Sequence, residues 1–277
     1  LAMLGRQRMA WTRALYPDAD AFVCGGGRLH PDRAQAEALV GDLRVLLGRV
    51  MGDGGAHWRA LVDAAGLLDW VGRDEGLAQR MLGRLLAQGH DRLGRSGVGL
   101  LPALPDAELA ALLAAPAADA FVARPSWRGE SGETGALQRE AESPLVADLL
   151  QQRGNDLLTR LAARLAELHR VVGRLEAGLA TLAPAQAGGM PSAHDGEGLA
   201  QVEAARGILV HWLRLEGGSV AGHRILAPTE WNFHPQGALA QGLAGLPAGP
   251  DLGGLARLLV DAVDPCVACH VEVSGDA

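Results

Sequence analysis

The sequence predicts an α+β protein that is mainly α, with a long-helix bundle core and a β-hairpin towards its C-terminal end. Three observations carry that prediction. Leu158, Leu161, Leu165, Leu168, Val172, Leu175, Leu179 and Leu182 recur three and four apart, which is one apolar helical face over more than three heptads. Ala36, Leu39, Val40, Leu43, Leu46, Leu47 and Val50 form a second stripe of the same period. Beyond a loop at 183–200 the period changes to two, and Gly207–Leu215 and Ser219–Ala227 flank Glu216-Gly217-Gly218 as the arms of a hairpin.

Taken in order, residues 1–17 are compatible with a helix that ends at Tyr16-Pro17. The apolar run Ala21-Phe22-Val23-Cys24 opens into Gly25-Gly26-Gly27, a triplet that permits positive φ; the Lys-Ser/Thr of a phosphate loop is absent. Pro31 suits a helix start, with Asp32 in the first turn. Residues 56–94 read as further helix, and Pro105-Asp106 begins a short one reaching about Ala114. The stretch 115–134, rich in Pro, Gly, Ser and Glu, reads as a surface excursion. Helix resumes after Gly135 and starts afresh at Pro144. Asn155 is the expected N-cap of the long helix and Pro184 its stop. That helix is read as packing inside a bundle, with a coiled-coil dimer as the rival. Pro228 closes the second strand, residues 229–235 form a polar-aromatic loop, and a short helix at 251–262 leads to the cysteine pair. One domain over residues 1–277 is expected, with surface excursions at 115–134 and 183–200.

Composition narrows the function classes. With 48% apolar residues among 277, the chain buries a core and disorder is not the default. A formal charge of −7 argues against a nucleic-acid binder, which needs a basic face. No apolar run approaches the roughly 18 residues of a membrane span. All 25 basic residues are arginine, most simply a coding bias. Three cysteines make a poor disulfide framework and favour a reducing, cytoplasmic setting.

The chemistry-bearing stretch is Asp264-Pro265-Cys266-Val267-Ala268-Cys269. Two thiols three apart lie on one side of a turn, where one soft metal can reach both. Cys266 and Cys269 are therefore the candidate metal ligands. Read from the residues alone, the pair also fits a c-type haem attachment site, since His270 follows, a structural zinc half-site, or an inert buried turn. Cys24 reads as a small core residue, and His211 and His234 as hydrogen-bonded packing residues rather than ligands.

Three segments together resemble the catalytic subunit of nickel–iron hydrogenases. The cysteine stretch is similar to that family's closing Asp-Pro-Cys-x-x-Cys. Glu203-Ala204-Ala205-Arg206-Gly207-Ile208-Leu209-Val210-His211-Trp212 resembles its Glu-Ala-Pro-Arg-Gly-x-x-x-His-Trp segment. Ala227-Pro228-Thr229-Glu230-Trp231-Asn232 resembles its Val-Pro-Thr/Ser-Thr-Trp-Asn loop. Gly25-Gly26 and Gly135-Ala136-Leu137-Gln138-Arg139 are weaker landmarks. The departures matter as much. The catalytic subunits hold nickel and iron with two cysteine pairs, whereas Cys24 is the single further cysteine here, and Glu272 stands where the family has a closing histidine. Either a segment carrying the second pair lies upstream of Leu1, which would make the chain a fragment of a catalytic subunit, or the chain belongs to a non-catalytic branch. Few residues follow Glu272, so the trimmed extension of the catalytic precursors is expected to be absent.

Trp231-Asn232-Phe233-His234-Pro235-Gln236-Gly237-Ala238-Leu239 and the tail Val271-Glu272-Val273 look like the HupK/HoxV hydrogenase maturation branch. That resemblance implies a large-subunit-like fold and a scaffold, not an enzyme, carrying an iron with cyanide and carbonyl ligands during assembly; nickel is not expected. It implies Cys266 and Cys269 as thiolate donors, Arg206 and Thr229 as hydrogen-bond donors to coordinated cyanide, and Asp264 behind Arg206. The implied partners are maturation chaperones, the iron-ligation machinery and the hydrogenase large subunit.

Overall fold

Residues 10–15 are helix, inside the stretch 1–17 expected to be helical, and the next helix starts where Pro31 and Asp32 place it. In the computed structural model, residues 10–15, 31–182, 196–265 and 268–274 are described. Helix α1 spans Arg33–Met51, and Asp32 lies one residue before it as N-cap, accepting from the Gln35 amide at 3.0 Å. The described residues divide into two compact units, one drawn from Leu1–Ala60, Trp70–Met81 and Leu168–Ser192, the other from Leu61–Asp69, Leu82–Glu167 and Ala193–Ala277.

In the first unit, Ala36 and Leu39 of α1 pack with Ala14 and, less deeply, with Trp11 and Leu179. Arg33 donates to the carbonyls of Leu179 and Ala180 at 2.7 and 3.1 Å, capping the end of the long helix, and Arg44 pairs with Glu176. The expected helix over 56–94, whose residues are shared between the two units, is broken: 3-10 turns at Asp53–Gly55 and His57–Ala60 precede α2 (Ala64–Val71) and α3 (Leu77–Ala87). The second break carries Asp74 at a φ of 55°, and Gly76 lets the chain pass close to the end of α1, since a Cβ there would sit 2.4 Å from the Gly52 amide nitrogen.

The second unit holds the remaining elements: α4 (Asp106–Ala114), α5 (Ala118–Ala123), α6 (Ala136–Glu140), α7 (Pro144–Arg153), the start of α8 (Leu157–Thr181), strands β1 (Gly196–Ala204), β2 (Gly207–Glu216) and β3 (Ser219–Leu226), then α9 (Pro228–Asn232), α10 (Ala238–Ala244) and α11 (Leu252–Val263). The expected hairpin is present as β2 and β3, but it belongs to a three-stranded antiparallel meander in the order β1-β2-β3. Residues 196–200, expected in a loop, are strand. One face of the sheet carries Val210, Trp212 and Leu226 into a core with Leu101, Leu104, Leu109, Leu113 and Trp231. The stretch 115–134 is not merely surface: α5 lies within it, Phe121 meets Trp231 edge-on at 6.5 Å, and Glu133 and Thr134 are buried.

Asn155 is not the N-cap of α8. Asp156 takes that place, accepting from the Thr159 amide and hydroxyl, each at 2.9 Å, while the Leu157 and Leu158 amides reach the carbonyls of Leu93 and Asp91. Asn155 instead ties Ser96 to Glu133. The leucine stripe is core at Leu158, Leu165 and Val172, whereas Leu168 and Leu175 are exposed. Among the described residues, no helix is long and apolar enough to cross a membrane.

Candidate functional site

Arg206 lies in the two-residue turn between β1 and β2, where Ala204 pairs with Gly207. Two-residue hairpins favour turns with positive φ, but neither Ala205 nor Arg206 has it. Arg139 compensates. Its terminal nitrogens donate to the carbonyls of Ala204 (3.1 Å) and Ala205 (2.7 Å), and to Glu203 at 2.6 Å. The same guanidinium forms a two-pronged bridge to Glu167, one prong at 2.8 Å through Nη2 and the other through Nε. Burial works against its charge, yet Glu167 and then Glu203 raise its affinity for the proton above that of an ordinary arginine.

Glycines set the turn on its support. Gly207 has φ +128°, and a Cβ there would fall 2.5 Å from the Thr134 hydroxyl; Gly135 has φ +112°, and its Cβ would meet the Arg206 carbonyl at 3.1 Å. Thr134 is itself pinned by Asn232 of α9, whose side chain accepts from the Thr134 amide at 2.9 Å and donates to its carbonyl at 3.2 Å. The preceding Glu133 is buried against Arg160, which also donates to the Gly94 carbonyl at 2.7 Å. The Glu-Ala-Ala-Arg-Gly and Trp-Asn motifs are thus joined through the short segment Glu133-Thr134-Gly135.

The cysteine motif arrives from the other side. Asp264 ends α11 in the left-handed region (φ 56°), its amide bonded to Val260 and Asp261, and Pro265, which has no N–H, follows. This turns the Asp264 carbonyl onto Arg206 Nε at 2.9 Å. The Asp264 carboxylate lies 3.5 Å from Arg206 and 3.4 Å from Arg164, close enough for ionic attraction and too long for strong hydrogen bonds. All three groups are partly exposed, so the carboxylate contacts add little stability and act mainly in orientation.

Beyond Pro265 the tail returns along α11. Arg257 donates to the Cys269 carbonyl at 2.9 Å, and Cys269 and Val271 pack beside Leu239, Leu259 and Val260. Cys269 is half-buried; Cys266, Cys24 and the glycine triplet lie outside the described residues. His270 and Glu272 are exposed. The expected loop at 229–235 begins as helix: Thr229 lies in the first turn of α9, partly exposed, and Glu230 caps that turn by accepting from the Ala227 amide at 2.9 Å. His234 accepts from the Gln236 amide at 3.0 Å through Nδ1, and His211 hydrogen-bonds to His223. Of the expected site residues, Arg206 and Asp264 are in contact. Arg139, Asn232 and the Glu133–Arg160 pair are the supports that sequence reasoning missed; Gly135–Arg139 was visible there only as a landmark.

Residues 158–272 match the family described as nickel-dependent hydrogenase. The chain is 40% identical over 230 residues to the hydrogenase expression/formation protein HoxV of Cupriavidus necator, covering 78% of this chain and 57% of that protein. It is 32% identical over 260 residues to the hydrogenase expression/formation protein HupK of Bradyrhizobium diazoefficiens, covering 92% of this chain and 65% of that one. The chain therefore spans only part of the length of both relatives. The reduced Ni-Fe-Se hydrogenase of D. vulgaris Hildenborough superposes with a TM-score of 0.45 at 23% identity, over 52% of this chain and 36% of that one.

Proposed function

Since the chain belongs to the nickel-dependent hydrogenase family and resembles its expression/formation members, we propose that it is a maturation scaffold that carries an iron–cyanide–carbonyl fragment to a hydrogenase large subunit. The iron fragment is cargo. Cys266 and Cys269, as thiolates, would supply the soft donors that low-spin iron prefers. The observation that carries the reading is the Arg206–Asp264 contact, which brings the arginine motif to the residue two before Cys266. With Nε spent on the Asp264 carbonyl, the Nη atoms of Arg206 are the donors for a coordinated cyanide nitrogen, and the Thr229 hydroxyl is a second donor. Asp264 holds the guanidinium plane in place. The partners this role requires are maturation chaperones, the iron-ligation machinery and the receiving large subunit, and the setting is cytoplasmic.

Infrared spectroscopy of the protein, purified anaerobically from cells that express the maturation machinery, tests this. Cyanide and carbonyl stretching bands are expected, with iron and without nickel, and they should vanish in the Cys266→Ser/Cys269→Ser variant. Bands that survive that substitution would remove the thiols from the role, and a Soret band in their place would assign the motif to haem. Nickel accompanying iron would point instead to a fragment of a catalytic subunit.

A further inference from the structure

His211 and His223 form a pair that the proposed site does not use. His211 lies opposite Ile225 and His223 opposite Leu213, so the two histidines are diagonal neighbours on one face of β2 and β3. That face is the one turned away from Trp212 and the core. Their rings meet edge to edge, 5.4 Å between centroids and 22° between planes, with His211 Nδ1 3.1 Å from His223 Nε2. Their neighbours across the strands, Ala200, Leu213 and Ile225, carry no side-chain acceptor. The imidazoles therefore meet each other with no carboxylate from these positions to fix a tautomer.

We infer that His211 and His223 are a two-nitrogen clip for a divalent transition metal of the nickel, copper or zinc class. The two nitrogens now point at each other along the line of the hydrogen bond, so coordination requires each ring to turn by about 40° towards a shared metal; two bonds of about 2.1 Å spanning 3.1 Å then subtend about 95°, between square-planar and tetrahedral coordination. As a hydrogen bond, one of the two facing nitrogens carries a proton. Coordination needs lone pairs on both, so that proton moves through water to the far nitrogen of its own ring and no net charge is lost. Among the described residues no group of three or more His, Cys, Asp and Glu side chains gathers anywhere. The clip thus supplies two donors and leaves its remaining positions open to water or to a donor from another molecule.

The test uses the full chain carrying Cys266→Ser/Cys269→Ser, so that the thiols cannot contribute and the outcome is independent of the iron-fragment reading. Copper(II), nickel(II) and zinc(II) chlorides are each titrated alone by equilibrium dialysis, and the copper form is examined by electron paramagnetic resonance. One equivalent with hyperfine coupling to two imidazole nitrogens is expected. Loss of an outer-shell partner alone costs about 10–100-fold in affinity, so H223Q and H211Q, each removing one of two donors, should bind at least that much more weakly. His223 is exposed, so H223Q should melt as its parent does without metal. The parent's melting temperature should rise with added metal, and that rise should be lost in H223Q. Equal affinity in parent and H223Q, or a copper signal without two-nitrogen coupling, would overturn the assignment.

Discussion

Replacing Arg139 by methionine tests whether the Arg206 turn is held from outside. The arginine side chain is 13% exposed and its partner Glu167 is 17% exposed, so the pair is largely desolvated, and the 0–1 kcal/mol of a surface bridge is the wrong reference. Methionine keeps the apolar stem but takes the guanidinium away from Glu167 and the two turn carbonyls. Loss of the two-pronged charged hydrogen bond to a mostly buried carboxylate costs about 1.5–3 kcal/mol, and two carbonyls that regain water cost about 0.5–1 kcal/mol each. The sum is about 3 kcal/mol, or roughly two powers of ten in the folding equilibrium. Urea denaturation should show this as a lower midpoint with an unchanged slope. A double-mutant cycle of R139M with E167Q should return a coupling of about 1.5–2 kcal/mol, within the range of contacting residues. If R139M costs under about 1 kcal/mol and the cycle shows no coupling, the guanidinium is a surface ornament and the account of the turn fails.

Other substitutions probe the same framework. Arg160→Lys should destabilise by about 3 kcal/mol despite keeping the charge, because one ammonium cannot meet both Glu133 oxygens and the Gly94 carbonyl; thermal melts would read it. Asn232→Ala orphans the buried amide and carbonyl of Thr134 and should cost about 2 kcal/mol by chemical denaturation. Gly207→Ala meets Thr134 at a φ of +128° and should cost about 2 kcal/mol or more, with weakened loading of the iron fragment in the infrared assay. Burial and then Arg59 lower the proton affinity of His169 below the ordinary imidazole value, with Gly55 and Glu176 opposing. The folded state therefore resists protonation there, so stability is full above about pH 6.5 and falls as pH drops through the lowered folded value. His169→Gln should flatten that acid-side loss in melts across pH 5–7.5, and an unchanged slope would remove His169 as its source.

What could be read in the sequence was what is determined locally. The stripe at Ala36–Val50 became α1 because one face of it packs, and Asp106–Ala114 became helix because Pro105 and an acidic first turn mark its start. Strand β1 escaped because its alternation is reversed. Gln201 and Glu203 pair with Val210 and Ile208 and share their inward face, while Ala200 and Val202 point outward. Gln201 is satisfied by the Leu104 carbonyl and Asp106, and Glu203 by Arg139, all distant in sequence. Glu133 was misread for the same reason: a glutamate among Gly and Ser looks solvated until Arg160, 27 residues later, is brought against it. In the site, the order of the motifs was legible and the resemblance already set Asp264 behind Arg206, but the left-handed residue at the end of α11 that makes the contact through the Asp264 carbonyl is announced by no pattern.

The arginine-only composition has a physical consequence beyond its coding origin. Arg139 engages Glu167, Glu203 and two turn carbonyls; Arg160 engages Glu133 and Gly94; Arg206 reaches Asp264 through Nε. A guanidinium offers five donors in one rigid plane, so a single side chain can join segments that approach from different directions, which a compact ammonium does less well. Each of these arginines sits where a motif meets its support: strand turn to helix, buried glutamate to loop, turn to helix end. The position of Arg206 is therefore inherited. Arg160 holds Glu133, the next residue Thr134 is gripped by Asn232, and Gly207 fits against Thr134 with no room for a side chain. A fault at the buried Glu133–Arg160 pair would reach the Arg206 turn through that backbone, without any change at the turn itself.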